Sequence, residues 1–182
     1  MKVILVVACS VDGKTTKWHD GTAHEWVSKE DQEHFSSLIK QQTILVMGKQ
    51  TYLDARTRMK LSPKTLRVVM TKTPEKYQEN AVPGQLEFTS LSPCELLNKL
   101  QQQGHQQVLL LTGETLSTLF FREKLVNEIW ITLEPVLFGT GKNLVSLEKF
   151  EVVLQIQSVE KLNKRGTLLV KYTVVESTSL EP

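Results

Sequence analysis

The chain has 182 residues, of which 40% are hydrophobic and 23% charged, and the charges nearly cancel at +2. That composition supports one real core and argues against wholesale disorder and against a nucleic-acid binder that relies on net charge. No apolar run reaches membrane-spanning length, and the two cysteines, Cys9 and Cys94, stand far apart in no metal-like spacing, which suits a reducing cytosol better than a disulfide framework.

The apolar, largely β-branched run at residues 3–8 predicts a first strand buried on both faces, not a secretory leader. Residues 9–25 are polar, contain two glycines and read as a long loop of the kind that serves as a lid or binding loop. Ser28 is a good N-cap with Asp31 three residues on, so a helix is expected from there to about Gln41, with Phe35, Leu38 and Ile39 on one face. Strands follow at 43–47 and 66–70, separated by a helix that begins at KQTYLDA after Gly48. After the Pro83-Gly84 turn comes a short strand at 86–89, and Ser92-Pro93 gives N-cap and N1 signals for a helix over 94–103, stopped by Gly104. QVLLL at 107–111 is another buried strand, Thr112-Gly113 ends it, and a helix runs to about Phe121. A strand at 128–133, a loop with two glycines at 135–143, and a long hairpin over 152–162 and 167–175 complete the chain.

Alternating strands and helices imply an α/β fold with a mostly parallel, doubly wound sheet, here closed by an antiparallel C-terminal hairpin. One domain over residues 1–176 is expected, with 177–182 as a frayed tail. In such sheets ligands bind beyond the carboxyl ends of the strands. LVMGKQT and LLLTGET each pass from a strand through a glycine into a helix N-terminus, a setting suited to phosphate, although for either one alone a plain tight turn is the simpler reading. No G-x-G-x-x-G follows the first strand, which disfavours a standard Rossmann site. Lys49, Thr71 and Lys72 lie beyond adjacent strand ends and could pair with a further phosphate, as the 2′-phosphate of NADPH requires; solvated loop lysines are the simpler alternative.

Trp26, Asp31 and Phe35 in the spacing Trp-x4-Asp-x3-Phe, then ILVMGKQTY, and later Thr132 within ITLEPVLFGTG, resemble dihydrofolate reductase. LVNEIWITLEP followed by FGTG, and VDGK after the first strand, are closer to the related C-terminal reductase domain of riboflavin biosynthesis. The resemblance covers nearly the whole chain. It implies a three-layer dihydrofolate reductase-like fold, NADPH as cofactor and a small-molecule substrate, with neither nucleic acid nor membrane as partner. Reduction of dihydrofolate is the leading expectation. The alternatives are reduction of the ribosylaminouracil phosphate of riboflavin synthesis, and a nucleotide-binding protein without catalysis.

By the same resemblance Asp31 holds the substrate ring and influences its protonation, Thr132 fixes that geometry, Trp26 shields the pocket and Phe35 contacts the ring. Without that frame, Asp31 would read as a helix N-terminal carboxylate favoured by the dipole. Ala8, Gly48, Lys49, Gln50, Thr51, Thr71, Lys72, Thr112, Gly113, Glu114 and Thr115 fall on the cofactor side, and residues 11–24 match the lid. Arg56, Arg58, Lys64 and Arg67 are candidates for the substrate's acidic group, Lys64 being the nearest positional match. Three departures stand out. Thr112-Gly113 replaces the family's Gly-Gly, the lid has its own sequence, and DARTRMKLSPKTLR replaces a loop containing proline and glycine. No metal site is expected, because His19, His24, His34 and His105 show no ligand spacing. The sequence leaves monomer and homodimer equally open.

Overall fold

The structure is a computed structural model that describes residues 1–18 and 22–179. Eight strands form one sheet: β1 (Lys2–Ser10), β2 (Ile44–Gly48), β3 (Leu66–Met70), β4 (Leu86–Thr89), β5 (Gln107–Leu111), β6 (Glu128–Glu134), β7 (Phe150–Lys161) and β8 (Leu168–Ser179). Four helices join them: α1 (Lys29–Lys40), α2 (Lys49–Ala55), α3 (Pro93–Gln102) and α4 (Glu114–Arg122). The strand order is β4-β3-β2-β5-β1-β6-β8-β7. The five pairings from β4 to β6 are all parallel, and β8 is antiparallel to both β6 and β7. The expected antiparallel C-terminal hairpin is present as β7 and β8; within it β8 runs against the body of the sheet and the edge strand β7 runs with it. β8 continues to Ser179, three residues past the expected boundary at 176, and residues 180–182 lie outside the described residues.

The helices divide between the two faces because strand side chains alternate. On one face Val3, Leu5, Val46, Val108 and Leu110 pack with Leu96 and Leu100 of α3 and Phe120 and Phe121 of α4. On the other, Ile4, Leu45, Met47, Val69 and Leu109 pack with Leu38 of α1 and Tyr52 of α2. Each central strand thus contributes to both cores, which is why its sequence is an unbroken apolar run.

The helix starts follow capping chemistry. Ser28 Oγ accepts from the Asp31 backbone N–H at 3.3 Å, and Ser92 and Glu95 form a reciprocal capping box behind Pro93. Two short 3₁₀ helices are present: Ala23–Glu25, in the segment that reads as a loop, and Pro74–Asn80, where the sequence assigns no element; neither has apolar periodicity long enough to signal a helix.

Phe120 is fully buried between α4 and the sheet. Phe120→Ala should destabilise the fold by about 3–5 kcal/mol. Urea denaturation is expected to show a lower midpoint with an unchanged slope. A loss below about 1 kcal/mol would mean that α4 does not seal this core.

Candidate active site

Placing β5 between β2 and β1 forces the chain to reverse direction across the sheet, and a crevice opens beyond the strand ends at that point. A cleft of about 2030 Å³ occupies it and continues down the α1 face of the sheet. Its walls include Ala8, Asp31, Phe35, Thr132 and every residue assigned to the cofactor side from the sequence. Arg58, Lys64 and Arg67 line its far part.

Asp31 sits in the first turn of α1 and is buried, with 7% of its surface exposed. Burial raises its carboxyl above the usual range. The Thr132 hydroxyl opposes this as a hydrogen-bond partner, the nearby Glu134 charge raises it further, and His34 lowers it. Thr132 is buried on β6 beside Ala8 of β1, so the register of these two strands brings it under Asp31. Phe35 lies one helical turn beyond Asp31 on the same face.

Trp26 does not line the cleft as expected, whereas its neighbour Val27 does. Its ring packs edge-on against Phe138 at 5.1 Å, so it braces the loop after β6 instead of shielding the pocket. Its Nε1–H is buried without a partner among the described residues, as is Nε2 of His34.

The carboxylate that the sequence reading missed is Glu134. It is 1% exposed, accepts from the Ser28 backbone N–H at 2.6 Å and from the Thr167 hydroxyl at 2.7 Å, and so ties α1, β6 and the turn into β8 together. The available signal was alternation: 132 and 134 must share a face of the strand.

At the other end of the cleft, Gly113 is the N-cap of α4 and provides no side-chain cap. Nothing lies within 4 Å of where a Cβ would sit on it, so the turn is open there, and no side chain caps the first-turn N–H groups. Glu114, whose charge would oppose an anion there, is turned aside and accepts from the Asn143 N–H at 3.2 Å. Thr115 is exposed beside it. Thr112 is buried with its hydroxyl 2.7 Å from that of Ser117, so it supports the turn instead of offering a donor to the cleft. All described peptide bonds are trans, Thr112–Gly113 included.

Gly48 caps α2, and Lys49, Gln50 and Thr51 form its first turn, although Gln50 is engaged with Asp54 at 2.8 Å. Thr71 and exposed Lys72 follow β3 on the same rim. These residues fit a phosphate-bearing dinucleotide: uncapped N–H groups, open space at Gly113 and cationic Lys49 and Lys72 share one wall.

The segment expected to be a lid is a clasp where it is described. Asp12 accepts from Ser10 Oγ at 2.6 Å and from the N–H groups of Phe138 and Gly139 at 3.2 and 2.8 Å. The Ser10 hydrogen bond, helped by those N–H groups against a smaller desolvation effect, holds the Asp12 carboxyl down at about 2. Lys14 Nζ donates to Asn143 Oδ1 at 2.6 Å, and the Thr15 N–H to the Lys142 carbonyl at 2.8 Å. Gly141 has φ +147°, and a Cβ there would collide with the Thr16 carbonyl, so this close approach requires glycine. His19, Asp20 and Gly21 lie outside the described residues.

The far end is basic. Arg67 on β3 is 7% exposed, and its guanidinium donates to the carbonyls of Lys60 at 3.0 Å and Thr65 at 3.4 Å. It has no carboxylate partner among the described residues. Burial lowers its pKa. Lys40, Arg58, Lys60 and Lys64 line the same part of the cleft. Arg56 does not: it is the exposed C-cap of α2 and is removed from the candidate set. Lys40 stands nine positions beyond Asp31, which spans about 13.5 Å along α1.

The site is thus a cleft beyond the strand ends of an open α/β sheet, with a buried acid on one helix and a basic far end. The chain belongs to the RibD C-terminal domain family, whose model matches residues 1–168. Reductases of this family use NADPH.

YwjB, an uncharacterised protein of Bacillus subtilis, is 24% identical over 169 residues, covering 90% of this chain and 93% of its own. A Shewanella sp. PV-4 protein assigned provisionally to riboflavin biosynthesis superposes with TM-score 0.74 at 20% identity, over 97% of this chain and 100% of its own. A Thermotoga maritima diaminohydroxyphosphoribosylaminopyrimidine deaminase/5-amino-6-(5-phosphoribosylamino)uracil reductase does so with TM-score 0.69 at 19% identity, covering 95% of this chain but 56% of that one. Enterococcus faecalis dihydrofolate reductase, complexed with NADP(H), gives TM-score 0.65 at 15% identity over 96% of this chain and 97% of that one.

The three-layer fold expected from the resemblance is therefore present. Dihydrofolate as the leading substrate is corrected: the family match falls on the riboflavin branch. The Trp-Asp-Phe spacing that favoured folate places Asp31 and Phe35 on one helix face, a geometry that does not by itself name a substrate.

Asp31 makes stability depend on pH. Its folded carboxyl titrates above the unfolded value, so its contribution is intact at acid pH and is lost as pH rises through the folded value. Asp31→Asn should therefore melt at a higher temperature than the wild type at pH 8, with the difference vanishing below about pH 4. A wild type that is the more stable of the two at pH 8 would contradict the buried, raised carboxyl.

Proposed function

We propose that this protein is an NADPH-dependent reductase acting on a phosphorylated ribosylaminopyrimidine, the reaction class named for the Thermotoga structure. The observation that carries the reading is the family match over 1–168, laid on a cleft that joins a phosphate-suited end, a buried acid and a basic far end.

NADPH, when bound, supplies a hydride. Gly113, Thr115 and the α4 N-terminus would hold its phosphates, with Lys49, Thr71 and Lys72 as further contacts and the Ala8 backbone beside its reactive ring. The chain's own residues supply the rest. Reducing a ribosylamino group to the open ribityl form puts a hydride on C1′ and a proton on the ring oxygen that is released. Asp31, whose carboxyl burial raises above the usual range, is suited to provide that proton or to hold the pyrimidine edge. Thr132 fixes its carboxyl and Phe35 packs against the ring. The clasp between residues 10–16 and 138–143 limits water at the mouth.

The substrate phosphate falls at the far end, where Arg67 is held by two carbonyls with no carboxylate partner among the described residues, and Arg58, Lys60 and Lys64 add charge. A segment selected for phosphate needs no folate-type arginine at position 64, which accounts for the departure in DARTRMKLSPKTLR.

NADPH oxidation, followed by absorbance with 5-amino-6-(5-phosphoribosylamino)uracil, should be rapid in the wild type and about 100-fold or more slower in Asp31→Asn. Arg67→Lys should raise KM about tenfold while kcat stays within a few-fold, because it loses a ground-state contact to phosphate. Cofactor binding without turnover of this substrate would overturn the reading.

A further inference from the structure

The turn between β7 and β8 reaches toward the candidate site through one side chain. Asn163 stands at the start of that turn, and its Oδ1 accepts from the N–H groups of Gly166 and Thr167 at 3.0 and 3.1 Å. This half of the amide does what an asparagine ordinarily does at a turn. The other half has different partners. Nδ2 donates to the Thr167 hydroxyl at 2.9 Å and to the Glu30 carboxylate of α1 at 3.1 Å.

The bond to Thr167 sets a direction. A hydroxyl has one proton to give. Thr167 is fully buried and accepts from Asn163, so its own proton goes to Glu134 at 2.7 Å. The second oxygen of Glu134 accepts from the Ser28 N–H at 2.6 Å, and the Ser28 hydroxyl accepts from the Asp31 N–H at 3.3 Å. Four hydrogen bonds in series thus run from the Asn163 amide to the backbone of Asp31. The Glu30 bond reaches the same helical turn from its exposed side.

We infer that Asn163 is a positioning residue for the reductase site: its Nδ2 donors fix the first turn of α1, and with it Asp31, to the turn between β7 and β8. The inference rests on the reading of Asp31 as the acid of the reductase. A residue that only formed the turn would need Oδ1 alone, whereas both Nδ2 bonds lead toward α1.

Asn163→Asp separates the two halves of the amide. The carboxylate keeps the acceptor that closes the turn and loses both donors. It also competes with Glu134 for the Thr167 proton and meets Glu30 with a like charge. Amide hydrogen exchange on the ligand-free protein, read by NMR, comes first. The Ser28 and Asp31 N–H groups should exchange about tenfold faster in Asn163→Asp, while the amides of β5 keep their rates. Turnover comes second. kcat for the pyrimidine should fall about tenfold, with KM for NADPH within about twofold, because the cofactor wall is built on α2 and α4. In an Asp31→Asn background the same substitution should change kcat by less than about twofold, since the group it positions is gone.

Unchanged exchange at Ser28 and Asp31, or an equal fall in kcat in the Asp31→Asn background, would overturn the inference and leave Asn163 a turn-former. If Asn163→Asp does not fold, Thr167→Val cuts the same path one bond further in and must give the same results, with Thr167→Ser, which keeps the hydroxyl, behaving as the wild type. A wild type that does not turn over the pyrimidine would sink the proposed function, and the exchange rates would still decide whether Asn163 holds the first turn of α1.

Discussion

The crossing of β5 into the space between β2 and β1 is the constraint on which the site depends. Once that strand is inserted, the connections on its two sides diverge to opposite faces and cannot close over the strand ends. The cleft is thus a consequence of topology, and residues at or near the carboxyl end of each strand line it: Ala8 on β1, Gly48 on β2, Thr71 after β3, Thr112 after β5 and Thr132 within β6. The apolar strands below them form a rigid floor whose register fixes which side chains become neighbours.

Around that floor the structure sets a costly group in a well-bonded surround. Asp31 is desolvated at the N-terminus of α1, and the same helix end is secured by a second buried carboxylate. An N-terminal carboxylate in water would be stabilised by the helix dipole, so burying this one runs against the simplest local preference. Such conflicts between local preference and global structure concentrate where chemistry is done. The clasp at the cleft mouth follows the same pattern, with Gly141 in a strained conformation so that Lys142 and Asn143 can reach the loop after β1.

Most of the fold was legible in the sequence because its elements are locally consistent. Apolar runs of strand length, Ser28 and Ser92 as caps, and Gly104 and Gly113 as stops all act through neighbours in the chain. The cofactor wall was legible for the same reason, since strand-glycine-helix is a local pattern. What was not legible depends on partners far apart in sequence. Glu134 matters through Ser28 and Thr167, 106 and 33 residues away. Trp26 was misplaced because Phe138, which captures it, lies in a loop with no pattern of its own. Arg56 and Arg58 look equivalent in DARTR, and the end of α2 decides that one lines the cleft and the other does not. The substrate was misread because the Trp-Asp-Phe spacing is a short local pattern that fixes a helix face and not a ligand, while the family match over residues 1–168 falls on the riboflavin branch.

The central claim is that this cleft brings a nicotinamide cofactor against the ribosyl carbon of a phosphorylated aminopyrimidine. Isotope transfer tests it most directly. With NADPH deuterated at the transferable C4 position, the account predicts a ribityl product carrying one deuterium at C1′, read by mass spectrometry and NMR. A product formed without that label, or label appearing at a pterin ring instead, would contradict it.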